Sequence, residues 1–200
     1  MSERFDKAAK DWDKSDRRRQ LSENIGNAIL ENVQFEPRMR VMDFGAGTGL
    51  LSGHIAPKVA TIAAVDISQG MLDELGAKKE LKHKVLTYCR NILHDPLEEE
   101  FDGIVSAMAL HHVEDTDEIL KVFYDHLKLG GFVALADLDK EDGTFHSHGN
   151  EGVYHFGFDR DAFRAQLEGA GFTSVRFTTA HTFLKEGGRT YPVFLATAYK

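Results

Sequence analysis

Apolar residues in this chain recur with two different periods, and the alternation between them sets the order of elements. Over residues 3–35 the spacing is helical, with Leu21, Ile25, Ala28, Ile29 and Val33 on one face. Ser15 or Asp16 is placed to cap that helix. A smaller stripe of Phe5, Ala8 and Trp12 precedes it, and Pro37 ends the helical pattern. Short apolar runs then alternate with helical ones. Strands are expected at 39–44, 60–66, 84–89, 102–108 and 132–138. Between them lie a helix from Leu50 to about Pro57 and one capped by Ser68 that buries Met71, Leu72 and Leu75. A third helix opens at Asp115, with Glu118 three residues on, and turns Ile119, Leu120, Phe123 and Leu127 inward. Gly130-Gly131 are expected to stop it. A polar stretch rich in Gly and His fills 139–158, and its length favours a functional loop. Asp159 starts a last helix with Phe163 and Leu167 inside, and Gly169-Ala170-Gly171 end it. Two final strands, Ser174–Leu184 and Tyr191–Ala198, flank Gly187-Gly188 and read as a hairpin.

Strands that alternate with helices imply an α/β fold with a mostly parallel sheet covered on both faces. Five alternating strands and a terminal hairpin make a seven-stranded, Rossmann-like sheet with an antiparallel addition at one end. The 200 residues suit one domain, with no internal repeat or linker.

Charge and cysteine content narrow the class. A net charge of −8 argues against a nucleic-acid partner, which needs clustered Lys and Arg. The basic run Arg17-Arg18-Arg19 reads as a solvated helix face. A single cysteine, Cys89, leaves no internal disulfide and fits a reducing compartment. No apolar run approaches the roughly 20 residues of a membrane span, and a cytoplasmic location is expected.

The candidate chemistry begins at Asp43-Phe44-Gly45-Ala46-Gly47-Thr48-Gly49, where the first strand runs into three alternate glycines. Ligands of open α/β sheets bind at such strand ends. A dinucleotide fingerprint, G-x-G-x-x-G, would place its third glycine at Leu50 or Ser52, so the spacing excludes a nicotinamide dehydrogenase. Asp66 ends the second strand, where an acid accepts two ribose hydroxyls. A ribose without a pyrophosphate is thus expected, and the Asp43 carboxylate suits a cationic or amine-bearing ligand.

The glycine segment resembles the first motif of class I S-adenosylmethionine-dependent methyltransferases. Val65-Asp66-Ile67-Ser68 with Met71-Leu72 resembles the second, and Phe101-Asp102 through Met108-Ala109-Leu110-His111-His112 the motif of strand four. Leu127-Lys128-Leu129-Gly130-Gly131-Phe132 resembles the turn before strand five. The opening Phe5-Asp6-Lys7-Ala8 with Trp12-Asp13 is similar to the N-terminal helix of the small-molecule branch, related to quinone-biosynthesis methyltransferases. The resemblance implies methyl transfer from S-adenosyl-L-methionine to a small-molecule acceptor, with S-adenosyl-L-homocysteine as product. It implies a helical lid over 1–35, a cosubstrate-binding core over 38–138, and a substrate-side loop, helix and hairpin over 139–200. It places the methionine part on the backbone of Gly45, Gly47 and Gly49 near Asp43, and the ribose on Asp66. Ile67 and Met71 would pack on the adenine, Asn91 would meet its amino group, and the backbone of Ala107 and Met108 would face the methionine amine. The family usually carries an acid where Asn91 stands. A non-catalytic binding protein of the same fold, holding the cosubstrate or a partner protein, is the alternative.

Ten histidines raise the question of a base. His111 and His112 follow strand four and point at the expected site, to orient substrate, take a proton, or fix the strand end. His146, His148, Tyr154 and His155 in the long loop are candidates for the acceptor side, and Phe5 and Trp12 for its roof. Metal ligation by the loop histidines is the lesser reading, and no metal is expected.

Overall fold

A computed structural model describes residues 2–146 and 149–200, apart from the Glu186 side chain. It contains helices α1 (Ser2–Trp12) and α2 (Asp16–Asn32), strand β1 (Arg40–Phe44) and helix α3 (Leu50–Ile55). Next come β2 (Thr61–Asp66), α4 (Gln69–Gly76), β3 (Val85–Cys89) and β4 (Phe101–Ala107). The chain closes with α5 (Thr116–Asp125), β5 (Leu127–Leu138), α6 (Arg160–Gly169), β6 (Thr173–Leu184) and β7 (Thr190–Tyr199).

The seven strands form one sheet in the order β3-β2-β1-β4-β5-β7-β6. All neighbouring pairs from β3 to β5 are parallel. β7 runs antiparallel to both β5 and β6, so the reversed strand lies second from the edge and β6 forms the edge. The period-two alternation of the strands divides the core into two layers. Val41, Ile62 and Leu195 pack on one face with Ile25, Ile29 and Ile55, while Met42, Ala63 and Phe194 pack on the other with Phe123 and Phe163.

Helix starts follow their caps. Ser15, Ser68, Asp115 and Asp159 each accept a backbone N–H of the first turn they precede. Helix α5 does not run on to Gly130-Gly131. It ends at Asp125, where the His126 imidazole hydrogen-bonds the Val122 carbonyl at 2.7 Å. Leu127 is buried as expected but belongs to β5, in register with Phe101. The two glycines lie inside β5, and Gly130 adopts φ +79° as its N–H donates to the Lys200 carbonyl.

The strand order reverses between β1 and β4, and the chain leaves both carboxyl ends in unusual conformations. Gly45 follows β1 at φ +68°. Met108 follows β4 at φ +58°, in the left-handed region a side chain rarely occupies. Helix α1 packs against α4. Asp6 accepts the Ser68 hydroxyl at 2.6 Å and the Gly70 N–H at 2.9 Å, and Asp13 accepts the Thr48 hydroxyl at 2.5 Å and pairs with Lys78 at 2.7 Å.

Candidate functional site

The glycine loop is held by its neighbours in three different ways. The N–H groups of Gly45 and Ala46 both donate to the Val65 carbonyl, at 2.9 and 3.1 Å. A Cβ on Gly45 would stand 2.3 Å from that of Ala109, so this glycine permits the close approach of the β1 and β4 ends. Gly47 has nothing within 4 Å of where its Cβ would be, and it borders open space. Its N–H donates to Asp66 Oδ2 at 2.8 Å, and Asp66 Oδ1 accepts the Ser68 N–H at 2.8 Å. Gly49 serves packing, because a Cβ there would meet Leu75 at 2.7 Å.

That open space is a cavity of about 1140 Å³. Its volume exceeds the roughly 300–1,000 Å³ of ordinary ligand pockets. Asp43, Gly45, Gly47 and Asp66 form one end of its lining, with Ile67, Met71 and Asn91 beside them. Ala107 and Met108 border it from β4, and His111 and His112 continue that wall. Phe5 and Trp12 enter from α1, and His146 and Tyr154 from the long loop. Gly49 is not among the lining residues. His155 is turned to another task, with Nε2 bonded to the Val113 carbonyl at 2.9 Å and its ring against Phe158. His148 lies outside the described residues.

Two carboxyl groups sit at the glycine end. Burial pushes Asp43 up to about 7, against the hydrogen bond from Ser52 Oγ at 2.6 Å, and the nearby Asp66 adds to the rise. Burial also raises Asp66, although the N–H groups of Ser68 and Gly47 oppose it. A cationic group brought between them would relieve both.

At the other end the histidines gather around one buried imidazole–carboxylate contact. His111 Nδ1 lies 2.7 Å from Asp137 Oδ1, with both side chains buried. The His111 backbone N–H donates to Asp137 Oδ2 at 3.1 Å, and the Leu138 N–H to Oδ1 at 2.7 Å. Burial works to raise the Asp137 carboxyl, but the imidazole and these N–H groups outweigh it and hold it below its ordinary value. Asp137 accepts at Nδ1, so the tautomer it favours carries its proton there and leaves Nε2 as the acceptor of a residue that lines the cavity. His112 Nδ1 hydrogen-bonds the Gly152 carbonyl at 2.5 Å. The Tyr154 N–H donates to the His111 carbonyl at 2.9 Å, so the long loop is laid directly on this turn. Burial, then the neighbouring His111, lowers both His112 and His146 to about 4. Among the described residues, no group of three or more His, Cys, Asp or Glu side chains is placed to hold a metal ion.

Several residues of the site escape the sequence reading. Asp137 is hidden in an apolar strand. Arg17 and Arg19 are exposed as expected of a solvated face, with Arg19 paired to Asp16, yet Arg17 also borders the cavity at its rim and the half-buried Arg18 lines it. Arg18 stacks on Trp12 at 3.9 Å and Arg17 on Phe183 at 4.5 Å. Helical spacing carries the signal, since Arg17 and Arg18 lie one turn before Leu21 and Ser22 on the inward stripe.

The sequence profile of the family described as "Methyltransferase domain" matches residues 14–176. An uncharacterized methyltransferase of Schizosaccharomyces pombe is 34% identical over 144 residues, covering 64% of this chain and 51% of the relative. The ubiquinone biosynthesis O-methyltransferase of Pseudomonas putida is 27% identical over 124 residues, covering 60% and 52%. The chain thus spans about half the length of these relatives. Among solved structures, phosphoethanolamine N-methyltransferase 2 of Haemonchus contortus in complex with S-adenosyl-L-methionine has a TM-score of 0.72 at 17% identity. That match covers 98% of this chain and 60% of the other. The family profile spans most of the chain, and the glycine loop stands at the reversal point of a seven-stranded sheet; the chain belongs to the class I S-adenosylmethionine-dependent methyltransferase family.

Proposed function

We propose that the chain transfers a methyl group from S-adenosyl-L-methionine to a small-molecule acceptor, with His111 taking the acceptor's proton. One observation carries this reading: a single cavity runs from the glycine loop to the free nitrogen of an imidazole fixed by a buried aspartate. The residues present fit the donor. Gly47 leaves bare backbone where a side chain would intrude, and two carboxyls raised by burial, Asp43 buried and Asp66 half-buried, suit a cation. Asp66 would hold the ribose hydroxyls, Asp43 would sit near the methionine end, and Ile67, Met71 and Asn91 would surround the adenine. The backbone of Ala107 and Met108 would face the amine.

When bound, the donor supplies a methyl group already activated on a cationic sulfur. The chain's own work is alignment, which contributes roughly 7–11 kcal/mol in well-oriented reactions. A positioned base adds about 10²–10⁴-fold, so positioning is the larger effect. Asp137 holds the His111 ring in one tautomer and opposes the charge that the ring gains with the proton. His112 and His146, kept neutral by burial, leave that proton no competing site near neutral pH. Phe5 and Trp12 close the roof against water and offer ring faces to a cation.

Calorimetry with S-adenosyl-L-methionine, on the wild type and on Asp66→Asn, tests the donor assignment. Weaker binding in the variant is expected, and equal binding would sink the assignment. Transfer of a labelled methyl to any member of a metabolite panel separates an enzyme from a protein of the same fold that only binds.

A further inference from the structure

The acceptor end of the cavity carries charge opposite to that of the protein as a whole. Three cations enter it from three separate elements: Arg4 from α1, Arg17 from α2, and Lys185 from the turn between β6 and β7. None of them is paired with a carboxylate among the described residues, in a chain of net charge −8. Lys185 is tied to the Thr144 and Phe145 carbonyls, and Arg4 to the Glu151 carbonyl at 3.0 Å. Arg17 differs from both. Its guanidinium carbon lies 4.5 Å from the centre of the Phe183 ring, at the exposed rim of the cavity, and the group makes no hydrogen bond among the described residues. A planar fork held by stacking, with its N–H donors unspent, is the arrangement that binds carboxylate or phosphate through two parallel bonds.

The wall between this fork and the base is aromatic. Phe183 packs on Phe145 at 5.1 Å, Phe145 on His146 at 5.0 Å, and His146 on His111 at 5.3 Å. Among the described residues, His146 Nδ1 is buried with no hydrogen-bond partner in the same wall. Glu141 acts on this group through its charge, felt at His146. Its Oε2 accepts the N–H groups of Thr144 and Phe145, which partly spends its charge. The acids of the lining itself are Asp43, Asp66, Glu114, Asp115 and Glu118, which stand on β1, β2 and the segment from Glu114 into α5.

We propose that the methyl acceptor is a flat, apolar anion: Arg17, with Lys185 and Arg4 behind it, holds its acidic group, the Phe183–Phe145 wall holds its body, and its nucleophilic hydroxyl lies at the far end beside His111. This rests on the reading of the cavity as a methyl-transfer site. In that step the acceptor oxygen forms the bond to the methyl carbon, the carbon–sulfur bond breaks, and the hydroxyl proton passes to His111 Nε2.

The test uses matched probes that differ only in charge: para-hydroxycinnamate and para-hydroxybenzoate against their primary amides, with para-hydroxyphenyl phosphate to separate carboxylate from phosphate. Each is titrated into the protein with S-adenosyl-L-homocysteine present. At least one anion is expected to bind about tenfold or more tightly than its neutral partner, as for a charge-assisted bidentate contact. That preference should shrink with added salt, vanish in Arg17→Gln, and return in part in Arg17→Lys. Binding of S-adenosyl-L-homocysteine should be unchanged in Arg17→Gln. The proposal is overturned if no anion binds, if amides bind as well as acids, or if the preference survives Arg17→Gln. It is equally overturned if Arg17→Gln removes S-adenosyl-L-homocysteine binding, which would give the arginine to the donor. An anion preference without labelled methyl transfer to any anion would leave an anion-binding cavity and overturn the assignment of that anion as methyl acceptor, whereas methyl transfer to neutral acceptors alone would overturn this inference and keep the enzymatic reading.

Discussion

Asp137 stands at the end of an otherwise apolar strand, fully buried, and has meaning only through His111, 26 residues away in the chain. Nothing in the run Phe132–Leu138 distinguishes that aspartate from a strand-end residue turned to solvent, so the sequence reveals the imidazole but not its orienting partner. Truncating one member of such a pair leaves the other's charge or dipole buried alone, at about 3–5 kcal/mol. The informative change is therefore Asp137→Asn, which keeps the shape. Its amide can donate to Nδ1 and turn the imidazole to the wrong tautomer. The rate constant for methyl transfer should fall about 10²–10⁴-fold, while donor affinity stays within about twofold. Single-turnover transfer of a labelled methyl, beside calorimetry on the same variant, checks this. An unchanged rate would remove His111 as the base. Arg17 was illegible for a different reason. A basic residue at the start of an amphipathic helix ordinarily reads as solvated; Arg17 is exposed, and only the packing of β6 beside it sets its guanidinium against Phe183 at the cavity rim.

The glycine loop is the element most completely written in the sequence, yet its three glycines do different jobs. Spacing shows that a ligand lies against backbone there; it does not show which glycine faces the ligand. Gly45→Ala would drive a Cβ to 2.3 Å from Ala109 at a left-handed φ, for a loss of about 2–4 kcal/mol. Gly47→Ala meets no neighbour, so only backbone strain of about 1–2 kcal/mol remains. Its methyl group would instead stand in the cavity floor. Melting should thus drop further in Gly45→Ala, while donor affinity should drop further in Gly47→Ala. Equal effects of both substitutions on both measurements would contradict this division. Helix α5 shows where periodicity misleads. Leu127 continues the inward stripe of Ile119, Leu120 and Phe123, but the stripe passes into β5 without a break because strand and helix bury the same side there.

Across the whole molecule the parallel order was legible because each strand is followed by a capped helix, which leaves few ways to connect them. The place of β7 was not, since a hairpin signal does not say which of its strands pairs with the rest of the sheet. The charge layout shapes the response to pH. Asp43 in the folded chain keeps its proton to about 7, against 3.8 ordinarily, so the folded state binds more protons across that window. Its contribution to stability therefore falls as pH rises from about 4 to 7. His112 and His146, lowered to about 4 from 6.5, act with the opposite sign: they favour the folded state above about 6.5 and disfavour it as pH falls toward 4. Asp43→Asn should remove the first effect alone. Relative to the wild type, the variant should gain on the order of 2 kcal/mol on moving from about pH 5 to pH 8. Thermal melts at both pH values measure it. A difference independent of pH would show that Asp43 ionises as a solvated acid.

Asp6 in α1 and Asp13 just past its end tie this helix to Ser68, Gly70, Thr48 and Lys78, the first three of which belong to the two segments that would grip the donor. A roof nailed to the floor cannot be raised at one corner. Departure of the spent donor requires both fastenings to release together, so the slow event of the cycle is expected to be egress, not bond making. In rapid-mixing experiments the first turnover should outrun all later ones, and Asp6→Asn should quicken the later turnovers while leaving the first unchanged.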